Sequence, residues 1–328
     1  MQSAANNLLK RVVRKSADAS PLTLTAGSEQ PPSPLAELLR RLLVHAVAAV
    51  RVAAAETIGR MQLAECAEKL KAALNDAEPA VKIAAQAALA KLASDEPTAS
   101  TGNVTFLSPA APPADKPAEV EDVLICSPLG ELLHDRNCRH LADWLKTLEF
   151  ILPQTEQLGA LMSLGQFQHL EIQTSGSRIL ILAAPEGNVM LRVKNNCAAV
   201  AAPTGAVVND ALKAQATEWL RHAAFVRGVL LRALRFADQT IVCDVDSRDL
   251  TAAALEQACR VVADTFQWLL PRQIPSLQLV WHYDRTTLHS VRRTDKAILV
   301  AMATAKTDDL DLPALNRQLA EFQSLAKI

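Results

Sequence analysis

The sequence predicts a mixed α/β (α+β) protein in which two tandem modules, each with a five-stranded antiparallel sheet, follow an all-α block of helical hairpins. Three observations support this fold class: an Ala-rich block repeats after 31 residues, the order β-β-α-β-β-β-α occurs twice, and two polar, Pro-containing stretches separate these parts. We expect five parts: a basic and polar tail at 1–33, helical repeats at 34–94, a Pro-rich linker at 95–120, a first module at 121–227 and a second module at 228–328.

The Ala-rich block contains two similar units. "VRVAAAETIG" (50–59) aligns with "VKIAAQAALA" (81–90), and each unit is predicted to have an outer amphipathic helix, a short turn and an inner helix. Alanine occupies the positions where only a small side chain lets two helices approach closely. These units resemble a pair of short HEAT repeats. Two repeats are fewer than a solenoid core needs, so the block must cap itself, pack on the rest of the chain or complete its core on a partner.

The first module begins with a predicted hairpin. "DVLICS" (122–127) and the following "LLHD" have strand character, and "SPLGE" between them supplies the Pro and Gly of a turn. Apolar residues at helical spacing follow from Leu141 to Leu152. The remaining predicted elements are three strands at 169–174, 177–185 and 188–194, and a closing helix at about 206–227.

The second module repeats this order. Its predicted hairpin has strands at 230–236 and 240–245, and its central helix follows at 250–270. Three strands at 277–283, 286–292 and 297–304 then lead to a closing helix at 312–326. We expect Ser247 or Asp249 to cap the central helix and Asp311 to cap the last one. "FILPQ" matches "WLLPR" at an offset of 118 residues, and "APEGNVMLRV" matches "RTDKAILVAM" at 109, which indicates an internal duplication.

The "VLICSPLGELL" hairpin, the helix after it and "GSRILILAAPEGNVMLRV" resemble the roadblock / dynein light-chain family, in particular bacterial roadblock-type GTPase regulators. The second copy departs from that pattern, since no Gly marks its first turn and its loop after the helix is short. The resemblance implies a non-enzymatic platform. Family members join their sheets, pair their central helices and bind Ras-like small GTPases, motor components or scaffold components. We expect the two copies to pair as an intrachain pseudo-dimer, with further homo-oligomerisation left open.

A cluster of potential ligands lies in the first hairpin, at Cys126, His134, Cys138 and His140. Zinc ligands usually come in tight pairs two to four residues apart, and this spacing differs. We therefore interpret Cys126 as a buried small hydrophobe and the histidines as solvated residues at element ends. No metal and no cofactor is expected.

Other signs of catalysis are weak. Asp244, Asp246 and Asp249 could perform acid–base chemistry or bind a cation, but a strand end followed by a helix cap explains them better. The sequence has no GxSxG, GxxxxGK[ST] or GxGxxG motif. We expect no catalytic residues and no enzyme activity.

The composition limits the partners. The 328 residues are 50% hydrophobic and 4% aromatic with a net charge of −1, so the core is aliphatic and nucleic acid is not expected as a partner. Neither a signal peptide nor an apolar run of about 18 residues is present, which predicts no transmembrane segment and a cytoplasmic location. Residues 8–15, "LLKRVVRK", fit a peripheral membrane contact, a partner groove or a frayed tail.

The main hypothesis is a bacterial adaptor that binds protein partners, most specifically a Ras-like small GTPase in a polarity, motility or cytoskeletal pathway. The expected partner-binding residues lie on or beside the two central helices, and they are Arg139, Trp144, Lys146, Trp268 and Arg272. The alternatives are a structural subunit of a larger assembly without a GTPase, and an enzyme with a HEAT docking domain.

Overall fold

The computed structural model describes residues 33–93, 120–194, 210–244, 251–272, 274, 276–306 and 308–325. The predicted tail and linker lie almost wholly outside these residues, and so does the basic segment 8–15. The chain divides into the units Met1–Ser33 and Pro34–Ile328, and every element described below belongs to the second unit.

The N-terminal part of this unit is helical. It consists of α1 (Pro34–Leu42), α2 (Ala48–Met61), a 3-10 turn (Ala64–Cys66), α3 (Ala67–Ala73) and α4 (Pro79–Ala93). Arg51 at the start of α2 donates to both carboxylate oxygens of Asp76 before α4, at 2.8 Å each. Gly59 faces Ala88 so closely that a Cβ at position 59 would lie 2.6 Å from the Ala88 Cα. The two inner helices therefore pack at a distance that only small side chains permit.

The rest of the unit has the predicted order β-β-α-β-β-β-α twice. The first set comprises β1 (Val120–Cys126), β2 (Leu132–Arg136), α5 (Leu141–Leu161), β3 (Phe167–Thr174), β4 (Ser177–Ala184), β5 (Gly187–Lys194) and α6 (Asp210–His222). The second comprises β6 (Val229–Arg235), β7 (Ile241–Cys243), α7 (Ala252–Leu269) with a 3-10 turn (Leu270–Arg272), β8 (Ser276–Tyr283), β9 (Thr286–Arg292), β10 (Ile298–Thr304) and α8 (Leu312–Ser324).

The predicted fold class of separate five-stranded modules is wrong. The strands form one ten-stranded antiparallel sheet in the order β2-β1-β5-β4-β3-β8-β9-β10-β6-β7. Strands β3 and β8 would each be an exposed edge of a five-stranded sheet. Pairing them satisfies backbone N–H and C=O groups that would otherwise remain open to other chains. The two halves are thus continuous within one chain.

We call the β3–β8 junction the seam, and its register is nearly two-fold symmetric. Strands β3 and β8 begin 109 residues apart, the same offset as the internal duplication, and Glu171 of β3 faces Val280 of β8 at that offset. On one side of this central pair His169 faces His282. On the other side Gln173 faces Gln278. The duplicated strands therefore differ in the side chains that they place across the seam.

Helices α5 and α7 cover one face of the sheet, which we call the first face. Their apolar sides and the inward residues of both halves form one hydrophobic core, which includes Ile151, Leu170, Phe266 and Trp281. Tyr283 donates its hydroxyl to the Thr155 carbonyl at 2.7 Å, which links β8 of the second half to the helix of the first. The core on this face does not divide at the seam.

The second face is covered by different helices in the two halves. Helices α1–α4 pack on β1, β4 and β5, where Leu180 and Leu191 share a core with Leu38 and Ile58. Helices α6 and α8 pack on the second half in a separate core that includes Phe322. Of the three fates predicted for the short helical block, the structure shows packing on the rest of the chain.

The helix caps agree with the sequence in one case only. Asp311 accepts a hydrogen bond from the Ala314 amide at 3.0 Å, as predicted for the last helix. The cap of α7 is Thr251, which accepts from the Ala254 amide at 3.1 Å, so the prediction of Ser247 or Asp249 is wrong. The helix begins later than predicted, and the cap moves with it.

Candidate functional site

A cleft of about 1000 Å³ opens beside the start of α5. Three of the five predicted partner-binding residues line it: Arg139 before the helix, Trp144 in its first turn and Arg272 from the 3-10 turn after α7. Strand β1 and the end of β2 provide the opposite wall, because the hairpin turns the chain back towards the helix start. The fold therefore brings residues from both halves of the duplication to one cleft.

Trp144 forms the floor of this cleft. It is buried, with 5% of its surface exposed, and it belongs to the core of the first face. The Arg192 guanidinium lies 6.0 Å from the Trp144 ring centroid, at the limit of a cation–π contact. Arg192 Nε also lies 3.4 Å from a carboxylate oxygen of Asp122. Trp144 therefore supports the cleft more than it offers free surface to a partner.

Trp268 and Arg272 form a stack at the contact between the two central helices. The rings of Phe150 in α5 and Trp268 in α7 are stacked with centroids 4.1 Å apart. The Arg272 guanidinium covers the Trp268 ring at 3.6 Å and donates to the Trp268 carbonyl at 2.7 Å. A flat aromatic–arginine stack of this kind holds its side chains in fixed positions, which lowers the entropy that binding would cost.

Lys146 lies apart from the cleft. It is exposed on α5 and does not line the cavity. Arg139 is also exposed, whereas Trp268 and Arg272 are half-buried. The five predicted residues are thus divided among three places: the cleft, the adjacent Trp268–Arg272 stack, and the exposed surface of α5 at Lys146.

The cleft has charges of both signs. Four acidic residues line it together with the three arginines at 139, 192 and 272: Glu121, Asp122, Asp135 and Asp143. Mixed charges around an aromatic floor suit a polar protein surface or peptide better than a highly charged polymer.

The cysteines of the first hairpin are held within the protein, and its two histidines have different environments. Cys126 is buried, and Cys138 Sγ lies 3.2 Å from the Val123 carbonyl oxygen. Burial raises the pKa of each thiol to about 11, which keeps both protonated at neutral pH. His140 is exposed, whereas His134 is half-buried within β2 rather than solvated at a strand end as predicted.

Asp244 is engaged in a structural pair. It accepts a hydrogen bond from the Arg232 backbone amide at 2.9 Å and a second from the Arg232 guanidinium. Arg232 also donates to Gln318 at 3.0 Å, which connects β6 to α8. Asp246 and Asp249 lie outside the described residues.

No family model and no curated protein matches this chain. The likeness to roadblock and HEAT proteins therefore stays a proposal. Within the described residues, no helix combines the length and the apolar character needed to cross a membrane.

The sequence did not point to one cluster at the seam. His169, Glu171 and His282 bring one ligand atom each within 4.8 Å of one another. Their spacing in sequence does not indicate a site, because His282 is distant in sequence and joins the others only through the β3–β8 register. One sequence pattern does indicate part of the cluster: His169 and Glu171 alternate with buried apolar residues in β3, so both polar side chains lie on the same face of the sheet.

Proposed function

We propose that this protein is a cytoplasmic, non-enzymatic adaptor that binds protein partners at the paired central helices, most specifically a Ras-like small GTPase. One observation supports this function above the others. Helices α5 and α7 lie side by side on one continuous sheet, and the cleft and the Trp268–Arg272 stack lie along their contact. The roadblock resemblance implies a partner surface built from two such helices.

The joined sheet fits the pseudo-dimer that this proposal requires. A family member that joins two chains presents a surface made of two central helices. Here β3 and β8 pair within the chain, so both helices are present at a fixed distance without association of a second copy. The same chain would then bind its partner as a single unit, and its binding would not depend on its own concentration.

The thiol environments favour a binding protein over an enzyme. Burial raises the pKa of Cys259 to about 12, and Cys126 and Cys138 are similarly suppressed as nucleophiles. Asp244 is paired with Arg232 rather than directed to a cleft. Cys126, Cys138, Cys259 and Asp244, which an enzyme hypothesis would use, are therefore engaged in structure, whereas Cys243 is exposed.

A binding experiment with purified components tests the proposal. Ras-like small GTPases from the same genome are loaded with GDP or a non-hydrolysable GTP analogue, and their binding to the full chain is measured by interferometry. We expect one nucleotide state to bind preferentially. The variant R139E/K146E reverses two exposed charges at the helix pair and should weaken binding by roughly tenfold or more.

The matched control reverses two exposed arginines on the helices of the other face. Arg221 in α6 and Arg317 in α8 are exposed, so R221E/R317E changes the net charge by the same amount and should leave binding unchanged. Equal loss in both variants would indicate a non-specific charge effect. Absence of binding in both nucleotide states, together with a stable native complex that lacks a nucleotide-binding component, would favour a structural subunit instead.

A further inference from the structure

The seam has an unusual polar cluster on the second face of the sheet. His169, Glu171 and His282 project there, because their neighbours Leu170, Ile172 and Trp281 belong to the core of the first face. This strip lies between the helical covers of the two halves. The ring of His45, from the loop between α1 and α2, meets the His169 ring edge-on with centroids 5.5 Å apart. The cluster is thus partly enclosed by the helical block.

The distances around Glu171 match those of a metal site. Glu171 Oε1 lies 3.3 Å from His169 Nε2 and 3.5 Å from His282 Nε2. Two ligands bound tetrahedrally to zinc at the usual bond lengths are about 3.4 Å apart. The His169 and His282 rings are stacked with centroids 4.1 Å apart and are nearly parallel, so one ring has to rotate about its side-chain bonds before both nitrogens point to the same ion. Among the described residues, no other set of three His, Cys, Asp or Glu brings its ligand atoms together in this way.

His282 Nε2, which faces Glu171, is buried without a hydrogen bond inside the described part of the chain. His169 Nδ1, the ring nitrogen that does not face Glu171, is likewise unpartnered there. Buried polar atoms are normally satisfied, and an orphaned imidazole nitrogen beside a carboxylate is a common sign of a missing ion or water. The side chain of His282 is 29% exposed although its Nε2 atom is buried, so the cluster lies just below the surface.

The geometry points to a binding site for a divalent transition ion of the zinc class, with His169, Glu171 and His282 as its protein ligands. Two imidazoles and one carboxylate suit Zn²⁺, Ni²⁺ or Co²⁺, whereas Mg²⁺ and Ca²⁺ prefer oxygen ligands throughout. Three protein ligands leave a fourth coordination position for water.

Arg178 opposes the ion. Its guanidinium donates to Glu171 Oε1 at 2.8 Å, which places a positive charge beside the proposed metal position. Arg178 is half-buried, and its Nε has no hydrogen-bond partner in the described residues, so it can move away when an ion binds. The variant R178Q should therefore bind Zn²⁺ more tightly than the wild type, by roughly tenfold.

The duplicated seam supplies a conservative test variant. Gln278 occupies the position in β8 that corresponds to His169, and Gln173 occupies the position in β3 that corresponds to His282. The double variant H169Q/H282Q therefore places on the histidine side the same residues that the chain already has on the other side. A matched control, H134Q/H140Q, removes two histidines of the first hairpin, which the sequence singled out and which do not join this cluster.

The experiment uses the full chain without a tag, stripped with EDTA, dialysed and then titrated with Zn²⁺, Mg²⁺ or Ca²⁺ in a calorimeter. Bound metal is counted by elemental analysis, and Co²⁺ absorption reports the coordination geometry. We expect one Zn²⁺ per chain in the wild type and in H134Q/H140Q, no binding of Mg²⁺ or Ca²⁺ in its place, and loss of that Zn²⁺ in H169Q/H282Q.

Two results would overturn the site: a wild type that retains no Zn²⁺, or an H169Q/H282Q variant that retains as much as the wild type. Should this double variant fail to fold, the isosteric E171Q replaces it. E171Q keeps a hydrogen-bond acceptor for Arg178 but loses the negative charge, so we expect at least a tenfold weaker Zn²⁺ affinity. Unchanged affinity in folded E171Q would contradict the assignment equally.

Discussion

The two halves of the sheet have the same order of strands but obtain their second helical layer from different parts of the chain. The second half is covered by α6 and α8, which flank it in sequence, whereas the first half is covered by α1–α4. Helix α6 follows the first half in sequence and yet packs on the second. A duplicated unit can therefore lose its own covering helix when a neighbouring segment supplies an equivalent apolar surface.

The two covers also differ in how they pack. The helical block meets the sheet through aliphatic residues, and ion pairs link the two at the rim: Arg136 of β2 with Glu56 of α2, and Arg41 of α1 with Glu186 at 2.7 Å. The second half instead buries Phe322, over which the Arg293 guanidinium lies 5.0 Å from the ring centroid. The comparison predicts that both covers are equally necessary to one cooperative fold.

The largest effect is expected from removing one side chain in each cover. Leu38 and Phe322 are both 0% exposed, so Leu38→Ala should cost about 2–5 kcal/mol and Phe322→Ala about 3–5 kcal/mol of unfolding free energy. Because the sheet and the core of the first face are continuous, each variant should lower a single transition for the whole chain. Urea unfolding followed by circular dichroism and Trp fluorescence measures this.

The control for this pair is Leu129→Ala, since Leu129 is 89% exposed and should change stability by less than about 0.5 kcal/mol. Two separate transitions, with Leu38→Ala affecting one and Phe322→Ala the other, would show that the halves unfold independently and that continuity of the sheet does not couple them.

Much of this arrangement was predictable from local patterns. Helical and strand periodicity gave the order of elements, and the offset of 109 residues located the duplication. The residue patterns predicted two separate sheets, because each half reads as a complete five-stranded unit and the pairing of β3 with β8 depends on backbone edges that no side-chain pattern specifies. Only the family resemblance implied that the two copies pair within the chain. The cleft was predictable in part, because three proposed residues flank the two central helices. The histidine cluster depends on long-range register and was not predicted.

A smaller effect is expected where the inner helices of the helical block touch. A Cβ at position 59 would lie 2.6 Å from Ala88 Cα, so Gly59→Ala forces α2 and α4 apart. Overpacking costs about 1–3 kcal/mol, and the better helix propensity of Ala returns about 0.5–1 kcal/mol, so a net loss of up to about 2.5 kcal/mol is expected. Thermal unfolding measures it.

Gly176 provides the matched control, since a Cβ there would meet nothing within 4 Å. Gly176→Ala should leave the melting temperature within a degree or two of the wild type. A Gly59→Ala variant as stable as Gly176→Ala would show that the block tolerates wider spacing and is a looser cover than the comparison implies.

A third effect concerns the Arg51–Asp76 pair, whose side chains are each 13% exposed. Arg51→Met should cost about 1–2 kcal/mol near neutral pH, because the bidentate pair and the bonds from Arg51 to the 45–46 loop are lost. The hydrogen bond from Arg51 lowers the pKa of Asp76 below its ordinary value of 3.8. The stability from the pair is therefore present above that value and is lost as the pH falls through the lower folded-state pKa.

Urea unfolding of the wild type and Arg51→Met between pH 6 and pH 2 tests the sign. The difference between the two proteins should shrink in acid, and a constant difference would mean that the carboxylate charge of Asp76 plays no part. Lys71→Met is the matched control, because its pair with Glu68 is exposed at 60% and 85% and should contribute less than about 0.5 kcal/mol.

The smallest expected effect compares the two sides of the seam in metal-free protein. His169 and His282 face each other just as Gln173 and Gln278 do, and each glutamine shows that the duplicated backbone accepts its side chain at the corresponding position. The imidazoles leave buried nitrogens unpartnered among the described residues, so they gain little from hydrogen bonding. H169Q/H282Q should thus change the unfolding free energy by less than about 1 kcal/mol without metal.

Saturating Zn²⁺ should then separate the two proteins, because an ion that binds only the folded state raises its stability while the variant gains nothing. At 100 times the dissociation constant the wild type would gain about 2.7 kcal/mol. A large loss in the metal-free variant would instead assign the histidines a packing role that glutamine cannot fill. The histidines on one side of the seam and the glutamines on the other would then reflect packing against different helical covers, such as the contact of His45 with His169, rather than metal binding.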